Sequence, residues 1–229
     1  MTLPSERRTK VNRMRYFITG TDTGAGKTFF SCLLLRALVA AGKAPGAFKP
    51  VSCGDRHDAR ALAAASASGS GVDLPDLDLV NPVHYRHPLS PAAAALMENR
   101  PFPWAVMRHA WATVQKSTDV IVEGAGGWLV PVDDTLTMAD IAVELGLPVL
   151  VVVNNKLGAL NHTLLTVQAI RNSGLTCAGI VLNHPGDERD SASISNPAVL
   201  RAHLAGVPLL AELLHGEEEL PSGVLDALG

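Results

Sequence analysis

The sequence predicts an α/β domain, doubly wound, with a mostly parallel sheet covered by helices on both faces. Three observations predict it. Apolar segments of strand length alternate with helical segments from Tyr16 to Ala211, and no linker-like change of composition interrupts them. Pro148-Val149-Leu150-Val151-Val152-Val153 is apolar at every position, as a strand buried on both faces requires. The run Tyr16-Phe17-Ile18-Thr19 passes through a glycine loop directly into Phe29-Phe30-Ser31-Cys32-Leu33-Leu34-Leu35, a strand, a loop and a helix in succession. The expected organisation is a basic tail over residues 1–13, then one domain over 14–229.

The glycine loop is Gly20-Thr21-Asp22-Thr23-Gly24-Ala25-Gly26-Lys27-Thr28. A helix that starts here leaves its first N–H groups without internal partners, with the positive end of the helix dipole behind them, which suits phosphate. Gly24 and Gly26 let the backbone curl, Lys27 reaches phosphate oxygens, and the Thr28 hydroxyl is placed to hold Mg²⁺. The expected nucleotide-binding segment is therefore Asp22, Thr23, Gly24, Ala25, Gly26, Lys27, Thr28 and Phe29, and the domain is P-loop NTPase-like. An ordinary loop of this kind has its first glycine where Thr21 stands. Here it is Gly20, one residue earlier, so the loop is a longer variant.

Taken in order, Lys27 to Ala41 reads as a helix closed by Gly42, and Gly46-Ala47-Phe48 as a short buried strand ended by Lys49-Pro50. Lys49 then lies at a carboxyl end of the sheet, where ligands bind. Asp58 either caps a helix from Ala59 to Ala67 or partners Mg²⁺. Residues 68–88, rich in Gly, Ser, Asp and Pro, read as a long surface excursion with short extended pieces, and His84 and His87 as ordinary surface or loop residues. Ser90-Pro91 opens a helix to Glu98, and Pro103-Trp104 opens another to Lys116, with Trp104 and Trp111 as packing residues. Asp119-Val120-Ile121-Val122-Glu123 is a strand ending in a carboxylate, placed to support a metal beside the phosphates. The glycines after it allow close approach by a ligand or another backbone. Met138 to Leu145 is a helix stopped by Gly146. Asn161 caps a helix over Leu164 to Asn172, Cys177 to Leu182 is a strand, and a polar loop runs to Ser195. Then come a helix from Pro197 to Ala205, a strand from Pro208 to Ala211, and an acidic tail through Glu217-Glu218-Glu219.

Composition narrows the partners. Hydrophobic residues make up 47% and charged ones 18%, enough for a sizeable core, and no apolar run reaches bilayer-spanning length. A net charge of −3 gives no electrostatic case for nucleic acid. Three cysteines without a C-x-x-C pair argue against a disulfide framework and a zinc site, and fit a reducing cytoplasm. The basic segment Arg7 to Arg13 lacks a following apolar stretch and reads as a frayed tail, with Met14 as an alternative start.

Four motifs together, GTDTGAGKT at Gly20–Thr28, FKPVSCG at Phe48–Gly54, VEGAGGWLVP at Val122–Pro131 and NKLGALNH at Asn155–His162, resemble the dethiobiotin synthetase family of biotin synthesis. The resemblance implies a ligase, dependent on ATP and Mg²⁺, that joins CO₂ to 7,8-diaminononanoate through a carbamate and a carbamic-phosphoric anhydride. It implies Lys27, Lys49 and Thr23 as the catalytic set and Thr28, Asp58 and Glu123 as the Mg²⁺ set. Gly124, Ala125, Gly126 and Asn183 join the nucleotide contacts. The substrate set is Cys53 with Lys156, Leu157, Gly158 and Asn161, the last four reaching the substrate carboxylate of the partner subunit in a homodimer. Three departures stand out, the first being Ala25 where the family usually has valine. Cys53 replaces the usual serine or threonine, and Leu213-Leu214-His215 lacks the family's proline, leaving the preference among ATP, CTP and GTP open. The alternative is a partitioning-type switch ATPase on the same fold, but such proteins carry a lysine where Asp22 stands.

Overall fold

The computed structural model describes residues 13–69, 71, 73–186 and 189–229; the basic tail expected over 1–13 lies outside these apart from Arg13. The central strand is β1 (Arg15–Gly20), which leads through the glycine loop into α1 (Lys27–Ala40). There follow β2 (Gly46–Phe48), β3 (Val51–Cys53), α2 (His57–Ala67), α3 (Leu77–Val80), β4 (Val83–Tyr85), α4 (Pro91–Met97) and α5 (Trp104–Val114). The chain continues with β5 (Val120–Gly127), α6 (Met138–Leu145), β6 (Val149–Asn154), α7 (Ala159–Asn172), β7 (Cys177–Asn183), α8 (Ser191–His203), β8 (Leu209–Leu213) and α9 (Val224–Leu228).

Six strands form one sheet in the order β2-β5-β1-β6-β7-β8, every pairing parallel. Its two faces are read from the period-2 alternation along each strand. Tyr16 and Ile18 of β1, with Leu150 and Val152 of β6, join α1, α2 and α9 in one core. Phe17, Val149, Val151 and Val153 point the other way and join α5, α6, α7 and α8 in a second. This is the doubly wound sheet the sequence predicts. Strand order reverses beside β1, because β2 lies outside β5 while β6, β7 and β8 advance on the opposite side. Crevices at such reversals are where ligands bind in open α/β sheets.

Several local expectations are corrected. Within 68–88 the extended piece is β4, which pairs with β3 in a second, two-stranded parallel sheet; the short helix α3 before it was not expected. Buried Asn81 ties this segment to the main chain of Lys49, donating to Lys49 O at 2.9 Å and Val83 O at 3.1 Å and accepting from Ser52 Oγ at 2.7 Å. His84 is likewise engaged, its Nε2 lying 2.7 Å from Gly54 O. α2 begins at His57, so Asp58 sits inside its first turn and does not cap it. α7 begins at Ala159 because Gly158, at φ 91°, turns the chain three residues before Asn161, which lies within the first turn.

α8 begins at Ser191, capped by Asp190, and carries Pro197 in its interior. A proline there leaves the carbonyl four residues back without its helical donor. That carbonyl, Ser193 O, accepts from Asn155 Nδ2 at 2.8 Å, which lets the helix run through. After the acidic residues, α9 packs back on α1, and Tyr16 Oη donates to Leu228 O.

Candidate active site

The glycine loop joins β1 to α1 at the carboxyl edge of the sheet. Gly26 caps α1 at φ 96°, and among the described residues no side chain accepts from the first turn's N–H groups. Those donors are left for an anion. Gly26 is also pressed against Asn183, where an added Cβ would lie 2.1 Å from Nδ2. The same amide donates to Ala25 O at 3.0 Å, so Asn183 holds the loop from below. At Gly20 a Cβ would come within 2.8 Å of Asp22 O, which explains the glycine one residue earlier than the ordinary spacing.

A cleft of about 670 Å³ opens above the loop, lined by Thr23, Gly24, Gly26, Lys27, Thr28, Phe29, Lys49, Cys53, Asp58, Ala125 and Gly126 among others. Lys49, at the end of β2, has a side chain only 3% exposed. Its ammonium donates to Glu123 Oε1 at 2.6 Å, to Asp58 Oδ2 at 2.9 Å and to Gly124 O at 3.2 Å. Thr28 Oγ1 donates to the same Glu123 Oε1 at 2.9 Å. Lys27 is buried and donates to Asp22 O at 3.3 Å.

The charges follow from this packing. Burial pushes Lys49 down, but the Glu123 and Asp58 carboxylates and their hydrogen bonds outweigh it and hold the ammonium above the ordinary lysine range. Burial would raise Asp58, yet Lys49, the Thr28 hydroxyl and Lys27 together lower it. Lys27 is brought down to about 8, first by burial and then by repulsion from Lys49. An anion between the two ammonium groups would relieve that repulsion. Burial raises the Cys53 thiol to about 11, so this group lines the cleft as a neutral, weak donor.

The three residues the resemblance implies for Mg²⁺ lie close together beside the glycine loop. Thr28 donates to Glu123, the Lys49 ammonium bridges Glu123 and Asp58, and Glu123 Oε2 is buried without a hydrogen-bond partner among the described residues. Two carboxylates and a hydroxyl beside a phosphate loop match the oxygen ligands Mg²⁺ prefers alongside substrate phosphates. The glycines after Glu123 belong to β5; Gly124 and Gly127 lie against β1, with Gly20 paired to Gly127, whereas Gly126 faces Val130 and Thr23.

Lys156, Leu157, Gly158 and Asn161 do not line this cleft. They lie at the start of α7 on the surface, Leu157 being 80% exposed. Sequence reasoning passed over Ser52, Asp55, Pro88, Leu89, Ser90, Pro91 and Val130, which complete the cleft wall. Ser90-Pro91 was legible as a helix start, but nothing in its spacing pointed to the glycine loop.

An AAA domain family model matches residues 14–216. The ATP-dependent dethiobiotin synthetase BioD of Akkermansia muciniphila is 44% identical over 214 residues, spanning 93% of this chain and 98% of that one. The chain belongs to the dethiobiotin synthetase family. A second member, BioD 1 of Escherichia coli K12, is 41% identical over 86% of this chain and 92% of its own. Among solved structures, the septum site-determining protein MinD of Pyrococcus horikoshii with Mg-ADP aligns with a TM-score of 0.53 at 17% identity, covering 94% of this chain and 86% of that one. That likeness concerns the P-loop fold alone. In this chain Lys27, Lys49, Asp58 and Cys53 line one cleft, and Glu123 lies behind it, bonded to Lys49.

Proposed function

We propose that this chain closes the ureido ring of dethiobiotin, joining CO₂ to 7,8-diaminononanoate with ATP as co-substrate. One amine adds to CO₂ and loses a proton, giving a carbamate. A carbamate oxygen takes the γ-phosphoryl group of ATP, and ADP leaves. The second amine then attacks the carbonyl carbon and gives up a proton, phosphate departs, and the ring is closed. The observation that carries this is the placing of Lys49, deep beneath the cleft with its ammonium held charged, within one pocket with Lys27. Carbamate and γ-phosphate are both anions, and two fixed cations offset their repulsion and the charge that spreads in the transition state.

Thr28, Asp58 and Glu123 would hold Mg²⁺, which supplies charge neutralisation at the phosphates. Lys27 and the free N–H groups of α1 bind the phosphate chain, with Gly24 and Gly126 letting the backbone come close. Thr23 and Cys53 face the diamine. Asn183 anchors the loop and leaves its carbonyl oxygen to meet the base. The experiment is to incubate the chain with diaminononanoate, bicarbonate, Mg²⁺ and, in turn, ATP, CTP or GTP. Mass spectrometry should find dethiobiotin. Its absence with every nucleotide, together with nucleotide hydrolysis stimulated by DNA or a partner protein, would establish the switch-ATPase alternative.

The substrate carboxylate is assigned to the partner subunit of a homodimer. Leu129, Leu157 and Leu165 are 65%, 80% and 61% exposed, and Leu129 and Leu165 line a hollow of about 370 Å³ that also takes in Asp22 and Thr23. Exposed leucines beside a ligand cleft suit a covered interface. Sedimentation should give a dimer, and Leu165→Glu a monomer with weakened diamine binding. A wild-type chain that sediments as a monomer at micromolar concentration with full activity would refute the arrangement. No helix among the described residues is long and apolar enough to cross a membrane. A cytoplasmic setting is consistent with three free cysteines.

A further inference from the structure

Residues 86–90 join β4 to α4 and, with Pro91, bring Pro88, Leu89 and Ser90 to the cleft wall across from the glycine loop. On the side away from the cleft stands Glu98, the residue that ends α4, with a side chain only 7% exposed. Its Oε1 accepts from Arg86 N at 2.6 Å, from His87 N at 3.3 Å and lies 3.2 Å from His87 Nδ1. Oε2 lies 3.6 Å from the Arg100 guanidinium. Arg100 in turn donates to His84 O and stacks 4.3 Å from the centre of the Tyr85 ring. From the cleft side, Gly54 donates to Tyr85 O at 2.9 Å, and a Cβ there would lie 3.1 Å from Pro88 Cβ. The segment is thus clamped between a buried carboxylate and the end of β3.

We infer that Glu98, braced by Arg100, is a positioning residue that fixes the 86–91 wall at the distance from Lys49 and Cys53 that the diamine requires. Glu98 does not line the cleft, so it acts through the backbone it holds. A carboxylate that gathers two main-chain N–H groups makes charge-assisted bonds, and its removal strands donors in a partly buried turn. The inference rests on the diamine reading of the cleft, and its test is arranged so that the two can fail separately.

Glu98→Ala should raise the KM for diaminononanoate about tenfold or more, as expected for lost charge-assisted hydrogen bonds, with the KM for ATP changed less than about twofold. Glu98→Gln keeps an acceptor oxygen for the N–H groups of Arg86 and His87 and should recover most of the loss. Hydrogen–deuterium exchange of the peptide spanning 86–91 should quicken in the alanine variant and not in the glutamine variant, whatever the substrate proves to be. If Glu98→Ala does not fold, Arg100→Met carries the same expectation with a smaller KM change. An unchanged diamine KM with unchanged exchange overturns the inference, as does a parallel rise in both KM values. A wild-type chain that makes no dethiobiotin overturns the diamine reading instead, and faster exchange in Glu98→Ala would still establish the clamp.

Discussion

Replacing Lys49 with alanine should lower dethiobiotin formation on the order of 10³-fold while ATP still binds, since one preorganised donor to developing charge is worth roughly 10²–10³ in rate. Lys49 also neutralises a buried acid. Its ammonium is the partner of Glu123, whose side chain is fully buried, and breaking such a pair costs about 3–5 kcal/mol. The variant should therefore melt at a lower temperature as well. Lys49→Met, which fills the same volume, should be equally inactive. The measurement is initial rate alongside a thermal melt and the affinity for a fluorescent ATP analogue. More than a tenth of wild-type activity in a folded Lys49→Ala chain would remove Lys49 from the chemistry.

Lys27→Ala should fail differently. Lys27 lies in the glycine loop, touching Asp22 O, and its ammonium is set for phosphate. The alanine variant should lose turnover on a similar scale and also bind the ATP analogue at least about tenfold more weakly. Burial and Lys49 hold the Lys27 ammonium at about 8 when no anion is bound, so removing it relieves a repulsion in the free protein. Stability should hold or rise, opposite in sign to Lys49→Ala. Unaltered nucleotide affinity in the Lys27 variant would mean that the phosphates lie elsewhere.

What could be read in the sequence was local. The strand, glycine loop and helix from Arg15 to Ala40 rest on contacts a few residues apart, and the apolar run to Glu123 reads as a covered strand, although β5 does not end at the acid but continues to Gly127. Spacing alone leaves Asp58 between a cap and a metal partner, and only the resemblance favours the metal; its contact with Lys49 comes from where β2 ends, which composition does not show. Asn81 and Glu98 were invisible for the same reason. Asn81 acts on a carbonyl 32 residues away, and Glu98 on main-chain groups 11 and 12 residues back. The sequence places the start of α8 six residues late because Pro197 looks like a helix opening, and only the Asn155 amide, brought in from β6's end, makes an interior proline tolerable. α9 is five residues long and owes its form to packing on α1, after acidic residues that signal solvent.

Phosphate release by the wild-type chain, with each reactant omitted in turn, tests the convergence of carbamate and γ-phosphate most directly. With ATP, Mg²⁺, diaminononanoate and bicarbonate together, one phosphate should appear for each dethiobiotin, and leaving out either the diamine or the bicarbonate should reduce release to near background. Release at an undiminished rate without the diamine would contradict it, because the phosphoryl group would then have an acceptor other than the carbamate.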